Sequence, residues 1–364
     1  MRLGLFMATQ WPADAELKNE ISNLCEQTRV AKQNGFSSIM VGQHFLSEPL
    51  QMIQAEPLVA RLAAEAEGMT FGLAILLLAM QNPVIVAENS ASLDWITDGN
   101  YILGVGLGYR KEEFQALNVH FESRVGRLEE AVPLIRRLWT EDKVEHRGDH
   151  FTISGLGASI KPKQPSGPPI WIGGDVISAV KRAAKLGCPW IIPPTMAFND
   201  IAIRVNAYEQ TIKTLGNDKV KGRPLNRELA IGRTKQEAFE VARKPLLAKY
   251  ESYATWGQTD TKKERTLSDT FEEFCRDRFI IGDEIQYGEF VRSIKILIGK
   301  QNPLKLSELK LIELVERHDY RIGIKSNLEP NIKEGIGGLR DIHTILWVTI
   351  FMFNIYKLED LTSI

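Results

Sequence analysis

Residues 90–119 read SASLDWITDGNYILGVGLGYRKEEFQALNV, and the fold follows from how this stretch changes character along its length. Its opening residues continue an apolar helical pattern that starts near Val84 and ends near Ile96. Asp98-Gly99 then turns the chain, since both residues tolerate the backbone angles of a tight reversal. Tyr101 to Gly106 is rich in strand formers and runs straight into Gly104, Gly106 and Gly108. A helix, a turn and a strand within about 30 residues form the repeating unit of a parallel α/β sheet.

Outward from this unit the same alternation recurs. Further strands are predicted at Leu3 to Met7, Ser38 to Gly42, Met69 to Leu76, Pro169 to Gly173, Trp190 to Pro193 and Glu228 to Gly232. Helices are predicted at Glu16 to Asn34, Glu56 to Glu67, Val84 to Ile96, Arg124 to Trp139 and Ser178 to Leu186. The first four strands begin about every 32 residues, and seven strands on one plan predict an α/β barrel that wants an eighth. Between residues 107 and 168 the rhythm breaks into a helix and a Gly/Pro-rich passage, GDHFTISGLGASIKPKQPSGPP. Such an excursion after a strand is where function tends to sit. Thr234 and Glu237 read as a capping box, and Pro245 breaks or kinks the helix that follows. The text changes character around Asp283 to Tyr287, which divides the chain into residues 1–284 and a mainly helical segment, 285–364.

Composition narrows the function. With 364 residues, 44% hydrophobic and 25% charged, the chain has material for a sizeable core. A net charge of -1, from 45 basic against 46 acidic residues, argues against a nucleic-acid binder and favours small ligands. Cys25, Cys188 and Cys275 are too few and too scattered for a disulfide framework, so a reducing, cytoplasmic setting is expected. The most apolar run, Thr344 to Tyr356, is shorter than the roughly 20 residues that span a bilayer. No membrane association is expected.

Three features carry chemistry. His44 follows a strand in VGQHF, at the carboxyl edge where barrels of this kind place their active sites. An imidazole there suits acid/base work, and a hydrogen-bonded structural role is the plainer alternative. Gly104, Gly106 and Gly108 leave a strand end bare enough for a flat ring or a phosphate to approach the backbone; tight packing inside a barrel explains them equally well. A dinucleotide fingerprint is not met, because Tyr109 stands where it needs a third glycine. In IWIGGDVISA, Gly173 and Gly174 lead into a helix whose first amides, with Ser178, suit a phosphate, or form an ordinary turn and cap. Asp175 opposes the phosphate reading unless it points away. The remaining histidines have no metal-ligand spacing, so no metal is predicted, and the sequence has no Walker A, GxSxG or CxxC motif to support phosphoryl transfer, serine hydrolysis or dithiol chemistry.

Residues 1 to about 283 resemble the bacterial luciferase-like flavin monooxygenases. The resemblance rests on RLGLF, VGQHF, ASLDWITDGNYILGVGLGY, EEFQALNV, ESRVGRLEEAVPLIRRLWTED and IWIGGDVISAVKRAAKLG. It implies a TIM-type (β/α)8 barrel that binds reduced FMN, or a deazaflavin in some relatives, at the carboxyl ends of its strands. It further implies monooxygenation of a small organic substrate with O2, a separate flavin reductase, and a homodimer as one assembly. Carried over by position, His44 matches the active-site histidine, Ala79 and Met80 the stretch against the isoalloxazine ring, Gly104, Gly106 and Gly108 the flavin edge, and Gly173, Gly174 and Ser178 the phosphate end. Two departures stand out. Leu107 replaces the phosphate arginine of luciferase, for which nearby Arg110 is the candidate substitute, and Asp175 stands where many relatives have serine.

From roughly Tyr287 onward, ERHDY and LEPNIKEGIGGLRDIHTILWV resemble the helical segment that follows the nucleotidyltransferase core of PII uridylyltransferases. Neither the catalytic carboxylates upstream nor the HD domain downstream in that family is found, so uridylylation is not expected. The two resemblances imply a barrel lacking its eighth unit and joined near Asp283 to Tyr287 to part of another protein, by fusion, frameshift or erroneous assembly. SIKILI, residues 293–298, is a candidate replacement strand. The competing expectations are then a hybrid with flavin binding at most and no catalysis, or a fragment linked to PII uridylyltransferase signalling.

Overall fold

The computed structural model describes residues 2–196, 198–216, 220 and 222–227. The seventh predicted strand, the capping box, Pro245, the boundary near residue 284, SIKILI and the C-terminal segment lie outside them. Along the chain run β1 (Gly4–Phe6), β2 (Gln10–Trp11), α1 (Leu17–Gln33), β3 (Ser38–Val41), β4 (Gln51–Met52), α2 (Ala55–Ala63), β5 (Thr70–Leu76) and α3 (Pro83–Ile96). They are followed by β6 (Tyr101–Val105), α4 (Lys111–Ala116), α5 (Arg124–Thr140), β7 (Val144–Arg147), β8 (Thr152–Leu156), β9 (Ile170–Gly173), α6 (Ile177–Lys185), β10 (Trp190–Ile191) and α7 (Phe198–Leu215).

Six strands form one parallel sheet in the order β1-β3-β5-β6-β9-β10. Each strand of this sheet joins the same growing edge, with helices in the crossovers, which is the winding of a barrel wall. Beyond β10, Ile192 bridges in parallel to Leu225. The strand residues Ile39, Val41, Phe71, Leu73, Leu103, Val105 and Ile172 are nearly inaccessible and join the buried faces of α2, α3, α5 and α6 in one core. Burial of about 1.5–3 kcal/mol per large apolar side chain makes this the main source of stability.

Local sequence explains how the helices enter that core. At α3, Asn82 Oδ1 accepts the amide of Val84 at 2.9 Å and Pro83 occupies the first helical position. At its far end Asp94 is fully buried; its carboxylate accepts the backbone and side-chain N–H groups of Gln164 at 2.8 and 2.7 Å. Gln164 also donates to the Tyr101 carbonyl at 3.0 Å, and Trp95 Nε1 donates to the Lys161 carbonyl at 2.8 Å. The signature around Asp94 therefore staples the Gly/Pro-rich passage across the amino end of β6, the face that serves stability in such barrels.

The structure differs from the sequence reading in three places. Residues 107–168 hold two helices, α4 and α5, and the antiparallel hairpin β7–β8. Glu130 of α5 fixes that hairpin by accepting His146 Nε2 at 2.8 Å and the amides of His150 and Phe151 at 3.0 and 2.9 Å. Helix α7 was not predicted, although Ile201, Val205, Tyr208 and Ile212 place apolar groups on one helical face. The small antiparallel pair β2–β4 is two residues per strand, too short for a periodic signal.

Candidate functional site at the carboxyl ends of the strands

His44 stands three residues beyond β3, with its side chain 12% exposed. Its Nδ1 lies 3.1 Å from Oε1 of Glu113. That same oxygen accepts the Phe45 amide at 2.8 Å and lies 3.6 Å from Nη1 of Arg110. The two terminal nitrogens of Arg110 donate to the carbonyl oxygens of Phe45 and Leu46 at 2.8 and 3.0 Å. Both Glu113 and Arg110 are buried, and a charge pair taken out of water is tolerated only with hydrogen bonds of this kind. The ring of Tyr109 completes the group, edge-on to His44 with centroids 5.7 Å apart.

A row of glutamines backs the histidine. Buried Gln43 accepts the Leu77 amide at 3.0 Å and Gln81 Nε2 at 3.1 Å through one oxygen, and its own Nε2 donates to Gln54 at 3.1 Å. Gln54 in turn donates to the His44 carbonyl at 3.1 Å. The loop after β3 and the turn after β5 thus form one hydrogen-bonded unit. None of Gln43, Gln54, Tyr109 and Glu113 was singled out from the sequence. In the short polar helix α4, Glu113 and Phe114 are the two buried residues, which only the structure shows.

Ala79 and Met80 are buried in the 3-10 turn Leu78–Met80 after β5. With Leu77 and Phe114 they form a small apolar cluster separate from the main core, bordered by Phe45, Ile75 and Leu107. Arg127 of α5 holds the turn from behind by donating Nε–H to the Ala79 carbonyl at 2.7 Å.

The predicted glycines line the same strand ends, and each faces protein atoms. A Cβ on Gly104 would stand 2.0 Å from the Leu73 carbonyl oxygen of neighbouring β5, a backbone atom that cannot yield. On Gly106 it would meet Ile75 Cδ1 at 1.9 Å, and on Gly173 it would meet Ile75 Cγ2 at 3.0 Å. Gly108, at φ +80°, adopts a left-handed conformation beside Met80. Packing therefore suffices to require glycine at 104, whereas at 106 the obstacle is the end of the Ile75 side chain, which can turn aside.

At the other end of the site, Gly174 lies 2.6 Å (from its would-be Cβ) off the Ala179 methyl, so α6 presses onto the turn. The fully buried Trp190 donates Nε1–H to the Gly174 carbonyl at 2.7 Å. Helix α6 begins with Val176 as its N-cap and has no side-chain cap; Ser178 and Asp175 are exposed. Arg204 of α7 donates to the Asp175 carbonyl, which sets a cation beside this helix start. Arg110, the substitute suggested for the phosphate arginine, is committed instead to the loop after β3, with β5 and β6 between it and β9. Among the described residues no group of three His, Cys, Asp or Glu side chains is placed to hold a metal, and no helix is long and apolar enough to cross a membrane.

Comparison with known proteins bears on the family and the fold. A stretch of 172 residues is 31% identical to F420-dependent glucose-6-phosphate dehydrogenase of Amycolatopsis mediterranei, covering 45% of this chain and 51% of that protein. Over 201 residues the chain is 24% identical to the oxygenase component of flavin-dependent trigonelline monooxygenase of Acinetobacter baylyi, 53% and 54% of the two chains. It spans about half the length of these relatives. In fold it matches the crystal structure of monooxygenase RslO1 from Streptomyces bottropensis with a TM-score of 0.65 at 18% identity, over 72% of this chain and 82% of that one. Residues 306–364 match the GlnD PII-uridylyltransferase family, as the sequence of the tail suggested. Residues 1–289 match the profile of the luciferase-like monooxygenases, and the chain belongs to that family.

Proposed function

We propose that the chain is an oxidoreductase that binds a flavin at the carboxyl ends of its strands and uses reduced FMN and O2 to oxygenate a small organic substrate. The observation that carries this reading is a partly exposed histidine, paired with a buried carboxylate, at the mouth of a parallel sheet beside an apolar cluster that the main core does not absorb. The residues present fit the cofactor. Ile75, Met80 and Leu107 offer an apolar surface to a flat ring, while the uncapped start of α6 with Ser178 and the nearby Arg204 suits its phosphate.

When bound, the isoalloxazine supplies the two-electron redox chemistry. The chain's own residues orient, exclude water and move a proton. His44 takes a proton from the substrate or returns one to it, and Glu113 compensates the imidazolium formed. The apolar cluster keeps bulk water from the ring side, and Gln43 and Gln54 keep the histidine loop and the β5 turn in register. In this reading a separate reductase supplies reduced flavin and the protein works in the cytoplasm.

A deazaflavin is the second reading, favoured by the 31% identity to an F420-dependent dehydrogenase. One experiment separates the two. Purified chain is mixed anaerobically with reduced FMN, oxygen is admitted, and flavin reoxidation is followed by absorbance; a second sample receives oxidised F420 with a panel of alcohols and sugar phosphates. The FMN reading expects protein-dependent reoxidation kinetics in the first sample and none of the F420 bleached in the second. Bleaching of F420 with unaltered FMN reoxidation would replace it with the dehydrogenase reading.

A further inference from the structure

We infer that Glu113 is a positioning residue that holds His44 in the tautomer with its proton on Nδ1, leaving Nε2 as the ring's proton-accepting atom; this deepens the oxidoreductase reading above and rests on it for its consequence in turnover.

Donor and acceptor roles fix the proton's place. Oε1 of Glu113 lies 2.8 Å from the Phe45 amide nitrogen, a group that can only donate. That oxygen is therefore an acceptor, and the Arg110 guanidinium 3.6 Å away reinforces its negative character. His44 Nδ1 approaches the same acceptor at 3.1 Å, so it carries the hydrogen. A neutral imidazole with its proton on Nδ1 has its lone pair on Nε2.

The second oxygen sharpens the point. Oε2 of Glu113 is buried and makes no hydrogen bond among the described residues, and the polar contacts of this carboxylate there run through Oε1 to His44, Phe45 and Arg110. Among the described residues, the charged or titratable groups facing the His44 ring include Glu113 from α4, Arg110 just ahead of it and Tyr109 from the connection between β6 and α4. A histidine oriented through one nitrogen by a carboxylate and reactive at the other is a recurring way to fix which atom handles the proton.

The test reads the tautomer directly. The full chain is labelled with 15N-histidine, and the imidazole nitrogens are observed by NMR near neutral pH without cofactor; a His44→Gln variant assigns the signal among the six histidines. The native chain is expected to show His44 protonated on Nδ1, and Glu113→Asp to preserve that pattern. Glu113→Leu, which removes the acceptor while filling the space, is expected to shift the ring toward the Nε2-protonated form. With the cofactor that supports turnover, Glu113→Leu should lower kcat by about tenfold or more while the cofactor Kd stays within about threefold, and Glu113→Asp should recover most of the loss. A native ring protonated on Nε2 overturns the inference even if the leucine variant does not fold. So does a folded leucine variant with the native tautomer. Because the spectra need no cofactor, failure of flavin to bind would count against the proposed function and leave the tautomer result standing.

Discussion

Arg127 Nε lies 2.7 Å from the carbonyl oxygen of Ala79, a contact between residues 48 apart in sequence that ties α5 to the turn after β5. The guanidinium carbon also sits 4.8 Å from the Phe151 ring centroid. One side chain thus joins the excursion hairpin, a helix and the site's apolar cluster. Burial, only partly offset by nearby Glu130, pushes the Arg127 pKa down.

Replacing Arg127 by alanine leaves the Ala79 carbonyl without this donor and removes a charged hydrogen bond, at a cost of about 1.5–3 kcal/mol. Urea unfolding should show a lower midpoint with an unchanged slope. Cofactor affinity should fall as the turn loosens. Arg127→Lys should restore less than half the stability, since an ammonium lacks the planar guanidinium that reaches both the Ala79 carbonyl and the Phe151 ring. Full rescue by lysine would contradict the role given to the guanidinium.

Gly104→Ala separates packing from ligand contact. Its Cβ would lie 2.0 Å from the Leu73 carbonyl oxygen, so the variant should lose about 1–3 kcal/mol or more of stability. Thermal unfolding followed by circular dichroism, without cofactor, is the measurement. A variant with native Tm and lost flavin affinity would mean that the glycine serves the ligand alone.

The hairpin anchor gives a pH prediction. Burial works to raise the Glu130 pKa, but hydrogen bonds from His146 and from the amides of His150 and Phe151 outweigh it and hold the carboxyl below its ordinary 4.5. A depressed carboxylate stabilises the fold above the unfolded-state value and loses that contribution as pH falls through the folded one. Stability should therefore decline below about pH 4.5, and Glu130→Gln should flatten this part of the curve while lowering stability at pH 7. An unchanged acid limb in the variant would remove Glu130 from the account.

How much of this was legible in the sequence differs between scaffold and site. Six parallel strands and five helices were readable because the barrel core demands continuous apolar runs in β5 and β6 and helical periodicity in α1, α2 and α5. Helix α7 was missed because its apolar residues are diluted by charged neighbours such as Asp200, Arg204 and Glu209. His44 was found because its position after a strand is local information. Glu113 was not, because its meaning arises only when α4 folds back over the loop after β3, 69 residues away in sequence. Arg110 was misdirected for the same reason: nearness in sequence to Leu107 suggested a phosphate, while the fold turns it toward Phe45 and Leu46. The glycines were read correctly as special positions, yet the sequence alone could not separate packing from ligand approach, and Leu73 and Ile75 supply the packing part.

In the proposed function a flavin lies with its ring at the ends of β5 and β6 and its phosphate at the start of α6. Anaerobic calorimetric titration of the full chain with reduced FMN and with reduced riboflavin, which lacks the phosphate, repeated with Ser178→Asp, tests this placement. Ser178 is exposed in the first turn of α6, where an acidic side chain is tolerated or favoured by the helix dipole but repels a bound phosphate. The account predicts one site per chain, FMN binding about tenfold or more tighter than riboflavin, and loss of that preference in the variant with riboflavin affinity unchanged. Equal affinity of the native chain for the two ligands, or binding of neither, would contradict it.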